Sequence, residues 1–167
     1  MIHLICGPSG AGKTTLALDL LAKRKAVHLS IDKWMNVLFH PDWPPAISDP
    51  VRRIEWYSDR VQRCREVIWQ VAKQLLAQGH EVSLDIAVFK RAERDHYRKL
   101  AQEAGVSFSL YYLTADKETR WARVQKRNRD RGPTFAFEVN RELFDLAETW
   151  FEPPSEVEKA IIHCTVA

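Results

Sequence analysis

The sequence predicts an α/β three-layer sandwich built on a P-loop, with a five-stranded parallel sheet and a small arginine-rich lid. Three observations predict it. Gly7-Pro8-Ser9-Gly10-Ala11-Gly12-Lys13-Thr14 fits the phosphate-cradling pattern G-x-x-x-x-G-K-[ST]. A β-prone run, Ile2 to Cys6, precedes it, and strong helix formers from Thr15 to Lys23 follow. Downstream, short apolar runs alternate with amphipathic stretches of helix length, the rhythm of parallel strands joined by helical crossovers. The strand order 2-3-1-4-5 is adopted by analogy with phosphate-transfer domains of this size.

The elements follow in order. Residues 2 to 24 form the first strand, glycine turn and helix. Ala26 to Asp32 is a second short strand with Asp32 at its end, and Lys33 to Phe39 is a short helix that Asp32 could cap. His40 to Pro50 carries four prolines and is a loop, anchored through Trp43 and Ile47. Val51 to Ala77 is a long helix, with Ile54, Tyr57, Val61, Cys64, Ile68, Val71 and Leu75 on its apolar stripe and Gly79 just past its end. Glu81 to Asp85 is the third strand, again closed by an aspartate. Lys90 to Ala104 is a charged amphipathic helix stopped at Gly105, and Val106 to Leu113 is the fourth strand. Asp116 to Asn128 is a helix capped by Thr114 or Asp116, Gly132-Pro133 breaks the chain, and Phe135 to Phe151 is helical. Ala160 to Cys164 is the last strand.

The glycine turn specifies chemistry. Glycines let the backbone approach phosphate oxygens and adopt positive φ, so that successive N–H groups of Gly7, Ser9, Gly10, Ala11, Gly12, Lys13, Thr14 and Thr15 surround an anion at a helix N-terminus. Lys13 would reach the β- and γ-phosphates of ATP, and the Thr14 hydroxyl would ligate Mg²⁺. Three further constellations extend the site. Asp32 is either a helix cap or a carboxylate that orients an acceptor hydroxyl and takes its proton. Asp85, ending an apolar strand, is either a turn residue or a second group on Mg²⁺. Arg120, Arg123, Arg127 and Arg131 are spaced three, four and four, so they share a helix face. That face is either solvated or a lid, spanning about 120–135, that folds over the triphosphate as charge develops there.

Composition bounds the rest. A chain of 167 residues with 46% hydrophobic and 28% charged residues is one domain with a sizeable core. The net charge of +3 suits an anionic ligand without implying nucleic acid. Cys6, Cys64 and Cys164 are odd in number and contain no C-x-x-C pair, which argues against zinc and a disulfide framework and for buried thiols in a reducing cytoplasm. No apolar run is long enough to span a bilayer, and no signal peptide is read at the N-terminus. His3 is expected to be a satisfied core residue, and His28, His80 and His163 to be structural. No Asn-Lys-x-Asp guanine motif is present, which argues against a GTPase.

With Gly7 to Thr14, Ser30-Ile31-Asp32, Leu84-Asp85 and Arg123-x-x-x-Arg127-Asn128-x-x-Arg131-Gly132 on the page, the chain resembles the P-loop kinases of the AAA_33 and zeta-toxin type. That group includes chloramphenicol phosphotransferase and the kinase domain of phage polynucleotide 5′-kinase. The resemblance implies that Asp32 is the general base and that Arg123, Arg127 and Arg131 contact the donor phosphates. The 5′-kinases tend to carry an arginine a few residues after the base, for the acceptor phosphate. Here only Lys33 is basic in Lys33-Trp34-Met35-Asn36-Val37, and the loop from His40 to Ser48 is not basic, which counts against a nucleic-acid acceptor. The expected function is therefore an ATP- and Mg²⁺-dependent phosphotransferase acting on a hydroxyl of a small molecule. The alternatives are a polynucleotide 5′-hydroxyl kinase and a regulatory ATPase without an acceptor. Trp34, Met35, Trp43, Ile47, Trp56 and Tyr57 would line the acceptor pocket, although core packing explains each equally well.

Overall fold

The computed structural model describes residues 1–41, 50–132, 135 and 137–164. Five strands, β1 (Ile2–Cys6), β2 (Val27–Ser30), β3 (Val82–Asp85), β4 (Phe108–Thr114) and β5 (Ile161–Cys164), form one sheet in the order β2-β3-β1-β4-β5. Every pairing is parallel, with Leu4 in register with Leu84 on one side and Leu110 on the other. Among the described residues, six α-helices connect and cover it: α1 (Lys13–Arg24), α2 (Ile31–Leu38), α3 (Pro50–Ala77), α4 (Arg91–Glu103), α5 (Lys117–Asp130) and α6 (Arg141–Trp150). The predicted fold class and strand order are those observed.

Alternation along β1 separates two cores. Leu4 joins Leu84, Leu29 and Leu110 under Cys64, Ile68 and Ala72 of α3 and Tyr97 of α4. Ile5 points the other way, onto Ala17 and Leu20 of α1 with Leu113 and Tyr111. A third, smaller cluster of Val124, Val139 and Phe144 holds α6 to α5. His3 is fully buried and satisfied, Nε2 meeting the Glu81 carboxylate at 2.8 Å and Nδ1 the Tyr111 hydroxyl at 3.2 Å. Chain connections run from β1 outward to β2, back through β3, and then across to β4 on the far side of β1. The carboxyl end of β1 is thus the switch point at which open α/β sheets bind ligands.

Four expectations change. β2 stops at Ser30, and α2 begins at Ile31, so Asp32 lies in the first turn of a helix rather than at a strand end. The N-cap of α2 is Ser30, so Asp32 does not cap it. Residues 135 and 137–140 are not helical; α6 begins only at Arg141, where the Asn140 side chain accepts from the Leu143 N–H. Phe137 and Val139 in the preceding segment pack on Val124, so their apolar character serves an extended stretch instead of a helix face. Cys164 is exposed, whereas Cys6 and Cys64 are buried free thiols. At α5, of the two expected caps it is Asp116 that serves, accepting from Thr119 N–H. The loop anchors Trp43 and Ile47 and the hinge proline Pro133 lie outside the described residues. Among the described residues, no helix is long and apolar enough to cross a membrane.

Candidate active site

The loop after β1 has the backbone its glycines anticipate. Gly7, Gly10 and Gly12 have φ of 150°, 77° and 98°. A Cβ on Gly7 would collide with the Leu113 carbonyl of β4, and one on Gly10 with the Arg120 carbonyl of α5. The loop is therefore wedged between the sheet and α5, and only glycine fits at both contacts. Gly12 is the left-handed N-cap of α1, so that helix directs its free N–H groups into the loop.

Side chains then converge. Lys13 Nζ donates to the carbonyls of Gly7 and Pro8 at 2.9 and 3.0 Å, folding its charge back over the loop. Thr14 Oγ1 donates to Asp85 Oδ2 at 2.9 Å, joining the first residues of α1 to the last residue of β3. Burial raises the Asp85 pKa, but His28, Lys13 and the Thr14 hydroxyl outweigh it and hold the carboxyl below its usual value. At 3.8 Å from that carboxylate, His28 Nε2 is too far for a hydrogen bond and is buried without one. His28, expected to be merely structural, therefore stands against the site.

Lys13, Thr14 and Asp85 line one cavity of about 1030 Å³ with Ser9, Gly10, Gly12, Thr15 and Asp32. Asp32 reaches it because α2 starts immediately after β2, beside β3. Its pKa is pushed up to about 6, first by burial and then by the Asp85 charge, against the pull of Lys13 and Arg127. Gly7 and Ala11 shape the loop from behind; neither is on the cavity wall, and Ala11 is fully buried.

The arginine row divides. Arg123 and Arg127 line the cavity. Burial lowers the pKa of Arg127, partly offset by Asp32, and its Nε is buried without a hydrogen-bond partner. Arg120 instead is a strut: its guanidinium grips Glu148 of α6 through two 2.6 Å bonds and donates to the Ala115 and Ser9 carbonyls. Arg131 sits past the last turn of α5 with φ of 46°, exposed, 5.4 Å over the Phe135 ring and off the cavity wall.

Sequence reasoning missed the far wall. Met35, Trp56 and Tyr57 are on the lining as expected, and Trp34 is not; it packs in the core. Phe39, Val61, Phe89 and Trp150 join them. So does Arg65, whose guanidinium donates to the Ile86 and Ala87 carbonyls and to Glu93 Oε1. It thereby holds Ala87 at φ of 55°, directly after Asp85 and Ile86. The signal was present as a charged residue one turn after Val61 within an apolar stripe.

A P-loop at the switch point of a 2-3-1-4-5 sheet, with a threonine and a strand-end aspartate beside it, defines a P-loop, kinase-like nucleotide-binding fold. A family model for AAA_33, described as an AAA domain, matches residues 2–154, and the chain belongs to that family. Solved structures share the fold. A putative kinase from Chloroflexus aurantiacus J-10-fl superposes with a TM-score of 0.70 at 16% identity, covering 98% of this chain and 83% of that one. A sugar kinase from Janibacter sp. HTCC2649 gives 0.64 at 16% identity over 98% and 84%. Kti12 of Chaetomium thermophilum, solved in complex with ADP-AlF3, gives 0.66 at 16% identity over 99% and 88%. No curated protein matches the sequence.

Proposed function

We propose that the protein is an ATP-dependent phosphotransferase that moves the γ-phosphate to a hydroxyl of a small molecule, with Asp32 as the general base. The observation that carries this reading is the position of Asp32: its carboxyl, with a pKa near 6, faces the same cavity as Lys13 and Thr14. A carboxylate with that pKa is ionised at neutral pH yet basic enough to take a proton, the balance general-base catalysis favours. A cap or a surface aspartate would have neither the burial nor the address. The kinases among the structural neighbours agree with this class of reaction.

In the reaction, the acceptor oxygen forms a bond to the γ-phosphorus while the bond from that phosphorus to the β,γ-bridging oxygen breaks. ADP leaves with the electron pair, and the acceptor proton passes to the Asp32 carboxylate. The loop N–H groups and Lys13 hold the donor phosphates, and Arg123 and Arg127 stabilise the charge on the transferring group. Arg131 would join them only through movement of the α5 C-terminus, as part of a lid over about residues 120–135. Thr14 and Asp85 together form the hydroxyl-plus-carboxylate pair that suits Mg²⁺, which keeps most of its coordination for water and phosphate oxygens. When bound, the ion would neutralise phosphate charge.

The test is ADP formation by wild type and Asp32→Ala with alcohols, sugars, nucleosides and 5′-hydroxyl oligonucleotides. An acceptor that stimulates turnover, with Asp32→Ala reducing the stimulated rate about 10²-fold or more, supports the reading. Acceptor-independent turnover that Asp32→Ala leaves unchanged overturns it in favour of a regulatory ATPase.

A further inference from the structure

We infer that, on the phosphotransferase reading above, the acceptor is a predominantly apolar alcohol with a flat, aromatic-compatible body, its reacting hydroxyl held between Asp32 and the Tyr57 hydroxyl. The inference rests on what lies beyond Asp32. There the cavity is walled by Met35 and Phe39 of α2, by Trp56, Tyr57 and Val61 of α3, and by Phe89. Ligand pockets commonly run to about 300–1,000 Å³, and this one, at about 1030 Å³, has room for both donor and acceptor.

Arg65 and Glu93, the ion pair on that wall, are already bonded to each other and to the backbone. Arg65 places three donors on Ile86, Ala87 and Glu93. Glu93 gives its other carboxylate oxygen to the N–H groups of Phe89 and Lys90. The Arg60 guanidinium lies over the Trp56 ring at 3.9 Å and donates to the Trp56 carbonyl. Among the described residues, Asn36, His40, Ser58 and Gln62 add the remaining polar side chains to the lining near these residues. A polyol buried here would leave most of its hydroxyls without partners, an arrangement that strongly disfavours binding. An aryl or alicyclic body gains from the same wall through area burial and ring contacts.

Tyr57 supplies the polar contact such an acceptor needs. It is partly buried, lines the cavity, and has no side-chain hydrogen bond among the described residues. Burial and the Asp32 charge push its phenol up to about 12, so it keeps its proton at any physiological pH. A permanent donor beside a carboxylate that accepts is the pairing that would hold an alcohol oxygen by its lone pair while its proton is withdrawn.

The experiment uses the full chain with MgATP and two matched probe sets: benzyl alcohol, 2-phenylethanol and 2-(naphthalen-2-yl)ethanol against glycerol, D-glucose and D-gluconate. ADP formation is read together with mass detection of the phosphate monoester, and MgADP-induced thermal shift reports the donor site. The expected result is aryl-alcohol phosphorylation with kcat/KM at least about tenfold above any polyol. Tyr57→Phe should lower it about tenfold or more with the MgADP shift intact, and Val61→Gln should raise KM for the aryl alcohol but not for ATP. Faster use of a polyol overturns the inference and leaves the kinase reading standing. An MgADP shift with no turnover of either set also overturns it. No shift and no turnover at all would remove the kinase reading itself.

Discussion

Two clusters of charge, one joining α4 to the C-terminal segment and one at the P-loop, are built on opposite rules. In the first, Arg94 and Glu158 are almost wholly inaccessible and joined by two bonds of 2.7 and 3.0 Å. Arg94 also donates to the Glu152 carbonyl at 2.8 Å, and Glu158 accepts from Ser155 N–H at 2.9 Å. Each charge has a partner within the chain. In the second, the Asp85 charge adds to the cost of ionising Asp32, Lys13 is bonded to loop carbonyls rather than to either carboxylate, and Arg127 Nε and His28 Nε2 are buried without hydrogen bonds. The first cluster is complete and closes the fold around the C-terminal segment. The second is incomplete in the way a site is incomplete before its ligands arrive. Charge left short of partners is costly, and its concentration at the P-loop supports the functional reading proposed for that site.

The largest expected effects separate the clusters outright. Asp32→Asn should lower acceptor-stimulated turnover by about 10²–10⁴-fold, the usual worth of a positioned base, while its thermal midpoint stays at or above wild type. Arg94→Met should do the reverse. Leaving Glu158 buried without its cation should cost about 3–5 kcal/mol of stability by denaturant unfolding, with kcat per folded molecule close to wild type. The double variant Arg94→Met, Glu158→Leu should recover part of that loss, because neither ion then remains unpaired. Turnover loss in Arg94→Met at full stability would break the comparison.

Arg120 is the sharper case, because its sequence neighbours in the row line the cavity and it does not. Its two bonds to Glu148 and one to Ser9 tie α5, α6 and the P-loop together. Glu148 is partly hydrated, so Arg120→Met should cost less than Arg94→Met, about 2–3 kcal/mol. Arg127→Gln should leave stability nearly unchanged and depress kcat instead. Equal effects of the two variants on both readouts would mean that the row acts as a unit after all.

How much of this was legible follows from the range of the interactions. Glycine spacing, helix period and strand length are local, and they placed the P-loop and the five strands, with β2 drawn too long at its carboxyl end. Asp32 faces the cavity from a helix rather than from a strand end: Ile31 is buried as the first residue of α2, which shortens β2 and puts Asp32 on a helical turn. The arginine row shows the limit. Spacing of three and four assigns residues to a face but cannot tell that Glu148, 28 positions away, waits for Arg120. Arg65 was hidden for the same reason, since its partners are backbone carbonyls on another element. The segment before α6 failed because apolar Phe137 and Val139 satisfy Val124 through a fold-back held by Asn128, which bonds both the N–H and the carbonyl of Val139.

A pH-dependent effect measures how far the second cluster is strained. The Asp32 pKa rises from 3.8 to about 6 on folding. Below pH 4 the group is protonated in both states and costs nothing. Between pH 4 and 6 the unfolded chain releases its proton while the folded chain keeps it, so stability falls as pH rises. Above pH 7 both states are ionised, and the full penalty, at most about 3 kcal/mol for a shift of this size, remains. Asp32→Asn removes the titrating group. Its stability should therefore exceed wild type by up to about 3 kcal/mol at pH 8 and converge with it near pH 4. Saturating MgADP narrows the gap if bound ligand neutralises the cluster, through the ordinary linkage of binding to stability. Parallel stability curves for wild type and Asp32→Asn from pH 4 to 8 would show that Asp32 carries no folding strain, and the contrast between the two charge clusters would then rest on Arg127 and His28 alone.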